Sequence, residues 1–392
     1  MRKRKTIYNW SKILSYNIIS KVAYTFVFAI LPSTLISCND DNDQSQSITQ
    51  VLLVYLASDN SLADEGPAKL EAIASGMDNN PSHRILVYLD TRGLAPRLME
   101  IREKNRIETI EEYKAENSAD PAVFRRVILN AKERYPQASF NLLVFSHASG
   151  WLPQGSLLAP KSSIDLKSII TDGTAEMDII DFASAIPDNA FESITFEACF
   201  MAGIEVAYQL KNKTNYILAS SAEILSPGFT PLYKDIIPLQ FNGITGLIAF
   251  ASKAFAYWNN QTGNGRSATF SIIDTQYLDI LANYVRENCD LTHQANIADY
   301  QHFDRYSYRL FFDFQEYYSQ MLPENKQEVL RFLIGSTVLW KASTPSFLIN
   351  NNGFDIHSHS GMTVYIAQEQ FILLNTAYKN LEWYNAIGIE SP

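Results

Sequence analysis

A histidine and a cysteine each close an apolar run of the kind that forms a buried strand. The run "FNLLVFS" leads to His147, and the run "SITFEA" leads to Cys199, 52 positions further along the chain. A thiolate can attack a carbonyl carbon, and a nearby imidazole can take the thiol proton and return one to the leaving amine. The two residues therefore predict a site for nucleophilic catalysis at a carbonyl, provided that the fold brings them together.

Such a site also needs donors for the negative charge that develops on the carbonyl oxygen. The backbone N–H groups of Cys199 and of Ala148, which directly follows His147, are the natural candidates. A serine nucleophile is disfavoured because Ser146, beside the histidine, is not part of a Gly-x-Ser-x-Gly motif. The sequence thus indicates a cysteine nucleophile with a histidine base.

Two interpretations without catalysis stay open at this point. A histidine at a strand end is more often structural than catalytic, and a buried free cysteine is usually packing, so a silent binding protein on the same scaffold is the rival. A disulfide between Cys199 and Cys289 would also remove the nucleophile. The position that Cys199 and His147 share, at the ends of apolar runs, favours the catalytic interpretation.

The elements that must hold these residues read as strands alternating with helices. The continuous apolar runs "VLLVYLASDN", "RILVYLDTRG", "FNLLVFSH", "SITFEAC", "NYILASS" and "ATFSIIDT" suit strands covered on both faces. Between the second and third, Asp120 can cap a helix that starts at Pro121 and ends before Pro136. This alternation predicts an α/β fold with a mostly parallel sheet flanked by helices. Functional residues collect at the carboxyl ends of such strands, where His147 and Cys199 stand.

The chain divides into four predicted parts. Residues 1–37 read as an export signal, 38–48 as a polar tether, 49–285 as the catalytic domain, and 286–392 as a C-terminal helical and α+β extension that packs on or completes it. In the extension, "PENKQEVLRFLIGSTVLW" predicts an amphipathic helix and "GMTVYIA" a late strand.

The N-terminus resembles that of a bacterial lipoprotein. A basic start and an apolar stretch lead to "LISC", which is similar to a lipobox that would make Cys38 a lipid-bearing N-terminus. An ordinary cleaved signal or a membrane anchor is the alternative. The resemblance implies the bacterial cell envelope, with the outer membrane and its outer surface as the expected location, because the acidic run after Cys38 is similar to a surface-export signal.

Charge limits the partners. The chain carries 32 basic and 42 acidic residues, and removal of the signal, which holds six basic residues, leaves 26 against 42, or a net charge near −16. Without a basic stripe, nucleic acid is an unfavoured partner. Protein or peptide substrates and a membrane contact through Cys38 are the expected partners.

Several stretches together resemble the clostripain-like cysteine peptidases, whose fold is that of caspases, legumains and gingipains. "VYLASDNSL" is similar to the family's opening strand and turn, "SHASGW" to its histidine motif, and "FEACFMAGIEVAYQLKN" to its nucleophile motif. "YILASSAEILSPGFTPLY" and "GMTVYIA" are similar to later strands. The resemblance covers most of the chain from about residue 50, and it implies a caspase-like fold.

The resemblance also implies roles. His147 would be the general base, Cys199 the nucleophile, and Glu197 a contributor to the pocket for an arginine or lysine side chain before the scissile bond. Some family members need calcium, so calcium is the cofactor to test. Some cut themselves, and Lys161 lies in the loop where such a cut would fall. Two departures matter: Ala148 stands where the family has glycine, and Glu197 where it has aspartate.

Other polar groups have simpler interpretations. Asp355, His357 and His359 alternate as metal ligands on a strand could, but polar surface or loop is the favoured interpretation. Asp59 and Asp90 follow apolar runs as turn and cap residues rather than as calcium ligands. We therefore assign no residue as a metal ligand from the sequence.

Overall fold

A central sheet of nine strands carries the fold, which we describe from a computed structural model covering residues 47–154, 169–305 and 308–388. The strands of this sheet are β1 (Gln50–Ser58), β2 (His83–Thr91), β3 (Arg97–Glu103), β4 (Arg106–Glu112), β5 (Ser139–Phe145), β8 (Phe191–Glu197), β9 (Thr214–Ala219), β10 (Thr269–Asp274) and β12 (Val338–Ser343). Short strand pairs outside it are formed by β6 (Ile170–Asp172), β7 (Ala175–Met177), β11 (Phe312–Asp313), β13 (Ser346–Phe347), β14 (Phe354–Asp355) and β15 (Thr363–Val364).

Helices cover both faces of the sheet. They are α1 (Glu65–Ser75), α2 (Pro121–Arg134), α3 (Ile179–Ala185), α4 (Ile204–Gln209), α5 (Tyr233–Ile236), α6 (Gly243–Asn259), α7 (Leu278–Asn288), α8 (Phe314–Gln320), α9 (Glu324–Thr337), α10 (Ile372–Tyr378) and α11 (Glu382–Ile387). Within the described ranges, no helix is long and apolar enough to cross a lipid bilayer.

The sheet order is β12-β10-β9-β8-β5-β1-β2-β3-β4. The five strands from β9 to β2 in this order are parallel to one another. At one edge β3 is antiparallel to β2 and β4 to β3, and at the other edge β10 is antiparallel to β9 and β12 to β10. The predicted α/β architecture with a mostly parallel, caspase-like sheet is therefore confirmed. All six apolar runs lie in this sheet.

Strand β1 shows why these runs are continuously apolar. Val51, Leu53 and Tyr55 are fully buried in the core on one face of the sheet, and the alternate residues Leu52 and Val54 are fully buried in the core on the other. Because successive side chains of a strand point to opposite faces, a strand covered on both sides must be apolar at every position.

The helix predictions are met in two places and need correction in a third. Asp120 caps α2, accepting a hydrogen bond from the Ala122 amide at 2.8 Å, and α9 begins directly after Pro323. The apolar stripe of "FMAGIEVAYQLKN" predicts a helix directly after Cys199, but α4 begins only at Ile204, with Gly203 as its N-cap. Phe200 has a left-handed backbone (φ +61°), so the chain turns before the helix can start.

The extension after residue 286 contributes to the same body as the catalytic domain. Strand β12 pairs with β10 at the edge of the central sheet, and α9 leads directly into β12. The late strand expected in "GMTVYIA" is reduced to β15, which pairs with β11 outside the central sheet. The predicted signal and tether lie almost wholly outside the described residues, as do Cys38 and Lys161.

Candidate active site

The register of two neighbouring strands brings the histidine and the cysteine to the same edge of the sheet. Strands β5 and β8 pair in parallel, and Phe145 is opposite Glu197. His147 follows Phe145 by two residues, and Cys199 follows Glu197 by two residues. The two predicted catalytic residues therefore each lie two residues beyond a pair of residues that face each other in neighbouring strands, at the same edge of the sheet.

Both residues line one cleft of about 300 Å³ at this edge. Its walls come from the loop after β1 and the start of α1, from the ends of β5 and β8, and from the loop after β9. The lining residues are Leu62, Glu65, Phe145, Ser146, His147, Glu197, Ala198, Cys199, Glu223, Ile224, Leu225, Ser226 and Gly228. Within this set there are three glutamates and no lysine or arginine.

The imidazole of His147 is held from the loop after β1. Its Nε2 lies 2.7 Å from Oγ of Ser61, and which atom donates depends on the tautomer of the ring. Ser61 was missed by the sequence reasoning, although it belongs to the quoted stretch "VYLASDNSL". A hydroxyl bonded to Nε2 orients the imidazole ring, and Nδ1 is the other ring nitrogen that can exchange a proton.

The thiol of Cys199 is strongly disposed to keep its proton. Burial raises its pKa to about 12, and the nearby Glu223 adds to the effect, while the Ile224 N–H, which donates to Sγ over 3.3 Å, and Arg305 oppose it. A helix N-terminus does not favour the thiolate either, because α4 begins five residues later. At neutral pH the resting group is therefore a thiol that needs a base.

The glycine requirement of the histidine motif lies at Gly150 rather than at position 148. Ala148 is buried and is not among the residues with positive φ, so its β-carbon causes no backbone strain. Gly150 has φ +62°, and a β-carbon there would lie 2.7 Å from the Phe200 carbonyl oxygen. The alanine is thus accommodated, and its role as an oxyanion donor, like that of the Cys199 amide, stays a prediction.

Glu197 lines the cleft, but its carboxylate is bonded within the protein. Its side chain is 1% exposed, and its Oε1 accepts from Lys69 Nζ at 2.7 Å and from the Phe229 amide. Its Oε2 accepts from the Tyr233 hydroxyl. These contacts do not support the prediction that Glu197 itself binds a substrate cation. Lys69 was missed by the sequence reasoning, because a lysine within a helix usually reads as solvated.

The structure also bears on the disulfide alternative and on the histidines at positions 357 and 359. Cys199 and Cys289 are both free thiols, so the disulfide alternative is wrong. His357 is exposed, 3.4 Å from Oε1 of Glu316, whereas His359 is half-buried, with its Nε2 3.2 Å from Oγ of Ser221. Burial, assisted by Lys341, lowers the pKa of His359 to about 3.

Both histidines lie in the loop after β14, His357 on the surface and His359 half-buried, in agreement with the predicted polar surface or loop. Across the described residues, no group of three or more histidine, cysteine, aspartate or glutamate side chains could hold a metal ion. Asp59 lies 3.7 Å from the Arg92 guanidinium, while Asp90 is buried with a pKa that burial and the nearby Asp172 raise to about 7. Asp59 lies in the bend after β1, as the turn prediction requires, whereas Asp90 lies within β2, so the predicted cap role is wrong for it.

The sheet and the paired strand ends define the scaffold of a caspase-like cysteine peptidase. The model of the Clostripain family, Peptidase_C11, matches residues 54–337, which is most of the chain. The chain therefore belongs to the clostripain family of cysteine peptidases.

Solved structures agree with this assignment. An inactive zymogen C11 protease from Parabacteroides distasonis is 28% identical, covers 86% of this chain and 97% of its own, and superposes with a TM-score of 0.75. A secreted C11 cysteine protease from Bacteroides thetaiotaomicron in complex with an irreversible peptide inhibitor is 24% identical, covers 87% and 99%, and has a TM-score of 0.74. The second likeness shows the fold alone. Among curated proteins no sequence match was found.

Proposed function

We propose that the protein is an exported, lipid-anchored cysteine endopeptidase that cleaves peptide bonds after arginine or lysine through a dyad of Cys199 and His147. The observation that carries the proposal is the convergence of these two residues from neighbouring parallel strands on one cleft. Family membership supports peptide hydrolysis as the reaction.

The chemistry follows from the protonation state of the thiol. Because burial raises the pKa of Cys199 to about 12, the proton has to pass to His147 as the sulfur attacks the scissile carbonyl. The carbonyl oxygen takes the negative charge, which the amides of Cys199 and Ala148 would stabilise. The C–N bond then breaks as His147 protonates the leaving amine, and a thioacyl-enzyme remains. Water, deprotonated by His147, attacks this thioester and releases the carboxylic acid and the thiol.

Basic specificity is supported by the charge of the cleft. Of the three glutamates in its described lining, Glu197 is paired with Lys69 and Glu223 with Arg305, so one net negative charge remains and favours a cationic side chain over an anionic one. A carboxylate binds a guanidinium or an ammonium through charge-assisted hydrogen bonds.

The similar protein from Parabacteroides distasonis is described as an inactive zymogen. By analogy, this chain would be made as a precursor and cut after Lys161, which lies in the sequence between His147 and β6. Active enzyme should then run as two bands after denaturation, and Lys161→Ala should leave one band and no activity. An active, uncut chain would contradict the analogy.

The lipid anchor rests on the "LISC" stretch and the acidic run after it. Mass spectrometry of the mature N-terminus should find acylated Cys38, and an envelope fraction from the producing cells should contain the protein. An unmodified or missing Cys38 would contradict the anchor.

A catalytically silent surface-binding protein is the second candidate, and the observation that favours it is the carboxylate of Glu197, which is bonded within the protein and not available to a substrate side chain. Reporter peptides that end in arginine, lysine or a neutral residue separate the two, assayed with reductant and with or without calcium. Turnover that is lost in Cys199→Ala supports the peptidase. Folded protein with a reactive thiol and no turnover supports the silent relative.

A further inference from the structure

Behind the wall of the cleft, the carboxylate of Glu197 is already bound by a lysine of the protein. Lys69, on α1, is fully buried, and its ammonium lies 2.7 Å from Oε1 of Glu197, 2.9 Å from Oγ1 of Thr230 and 3.1 Å from the Pro227 carbonyl. The ammonium also lies 4.1 Å from the ring centroid of Phe145. Since an ammonium has three hydrogens, these three acceptors satisfy it fully.

Glu197 has neither the charge nor the room to take a second cation. Lys69 neutralises its carboxylate, and the Phe229 amide and the Tyr233 hydroxyl donate to its oxygens as well. The backbone at Gly228 closes over it, since a β-carbon added there would lie 2.0 Å from Oε1. A substrate side chain therefore reaches a neutral, internally bonded pair at this point.

Of the other two glutamates that line the cleft, Glu223 is also paired within the protein. Its two oxygens accept from Nε and Nη2 of Arg305 at 2.6 and 3.1 Å. This fork-to-fork pair uses both oxygens of the carboxylate, as bidentate pairs do. Glu223 thus contributes little net charge to a substrate.

Glu65, at the first turn of α1, differs from both. Its side chain is 23% exposed and lines the cleft, and its Oε1 accepts from Oγ of Ser226 at 2.8 Å. Its Oε2 lies 3.6 Å from Lys69 Nζ, which is an ion-pair distance and too long for a normal hydrogen bond. With two carboxylates (Glu65 and Glu197) against one ammonium, the inner cleft keeps one net negative charge, and Glu65 is the member that solvent reaches.

We infer that Glu65, and not Glu197, is the specificity-determining residue that binds the cationic side chain of an arginine or lysine substrate. Lys69 is a positioning residue, which neutralises Glu197 and holds Glu65 one helical turn away on the same face of α1. The inference rests on the proposed basic specificity.

Binding to protein that cannot turn over separates this inference from the proposed catalysis. The Cys199→Ala protein is titrated by calorimetry with two peptides that differ only in a terminal arginine or its neutral isostere citrulline. The arginine peptide should bind about 10-fold more tightly or better, as expected for a charge-assisted contact. Adding Glu65→Gln should reduce this ratio to near one, with the affinity for the citrulline peptide unchanged.

The matched control is Glu71→Gln, the same change at an exposed position of the same helix, which should leave the ratio unaltered. Adding Glu65→Asp should restore part of the ratio, since it restores the charge. A ratio that survives Glu65→Gln, or equal affinities in the Cys199→Ala protein, would overturn the inference. Failure of the dyad would appear separately, as a normal binding ratio in a wild-type protein that hydrolyses no peptide.

Discussion

The buried ion pair of Lys69 and Glu197, which lies beside the cleft, should contribute to the free energy of unfolding. Lys69→Met keeps the length of the side chain and removes its charge, which leaves the Glu197 carboxylate buried with only the Phe229 amide and the Tyr233 hydroxyl as donors. Breaking a buried ion pair in this way costs about 3–5 kcal/mol. Glu197→Gln should cost less, about 1–3 kcal/mol, because the amide oxygen can still accept from Lys69.

The double variant should be markedly less destabilised than the sum of the two single variants. Residues that are hydrogen-bonded to each other show interaction energies of about 0.5–3 kcal/mol in double-mutant cycles. Because both side chains are almost completely buried, we expect the interaction energy of Lys69 and Glu197 to lie toward the upper end of this range. Urea unfolding at pH 7, followed by tryptophan fluorescence, measures the free energy of unfolding for each variant. Lys253→Met, at an exposed position of α6, is the control and should change stability by no more than about 0.5 kcal/mol.

Strict additivity would refute this reasoning. So would a cost below about 1 kcal/mol for Lys69→Met, because a solvated lysine behaves in that way and a buried, paired one does not.

Three further predictions concern the site and its support. Ser61→Ala should lower kcat about 3- to 10-fold with little change in KM, because His147 loses an orienting contact. Ser61→Thr keeps the hydroxyl and should retain most of the rate. An unchanged kcat in Ser61→Ala would contradict this role. Gly150→Ala should destabilise the fold by about 1–2 kcal/mol or more in urea unfolding, because φ is +62° and the new β-carbon meets the Phe200 carbonyl; unchanged stability would contradict the positive φ. Burial raises the pKa of Glu205 to about 8, so the stability that its bound proton contributes is fully present below about pH 4.5 and is lost as the pH rises through 8. Glu205→Gln should therefore be stabilised relative to wild type at pH 8 more than at pH 5 by a few kcal/mol, and an equal difference at both values would show that Glu205 is already ionised.

Much of the fold was predictable because burial on both faces of a parallel sheet leaves a strong sequence signal. The runs that became β1, β2, β5, β8, β9 and β10 are almost wholly apolar, and the two that end at His147 and Cys199 place both residues at one sheet edge. Strands β3 and β4 gave no such signal, because they form an antiparallel edge with alternating charged residues, "RLMEIRE" and "RIETIEE".

The contacts inside the site were less predictable. Nothing local to "EGPAKLEAIAS" indicates that Lys69 is buried, because the acceptors for its ammonium come from Glu197 and from the loop at 227–230, more than one hundred residues away in the chain. The high pKa of the Cys199 thiol depends likewise on burial and on Glu223, which comes from the loop after β9. The left-handed backbone of Phe200, which delays the start of α4, is a single residue's conformation. Long-range contacts and single backbone angles of this kind leave no periodic pattern to detect.

The most direct test of the central claim is the hydrolysis of reporter peptides ending in arginine by the mature protein and by its Cys199→Ala and His147→Ala variants, each shown to be folded. We expect turnover by the wild type and its loss, to background, in both variants. Wild-type turnover that persists in Cys199→Ala would contradict the assignment of the nucleophile, and with it the mechanism proposed for this cleft.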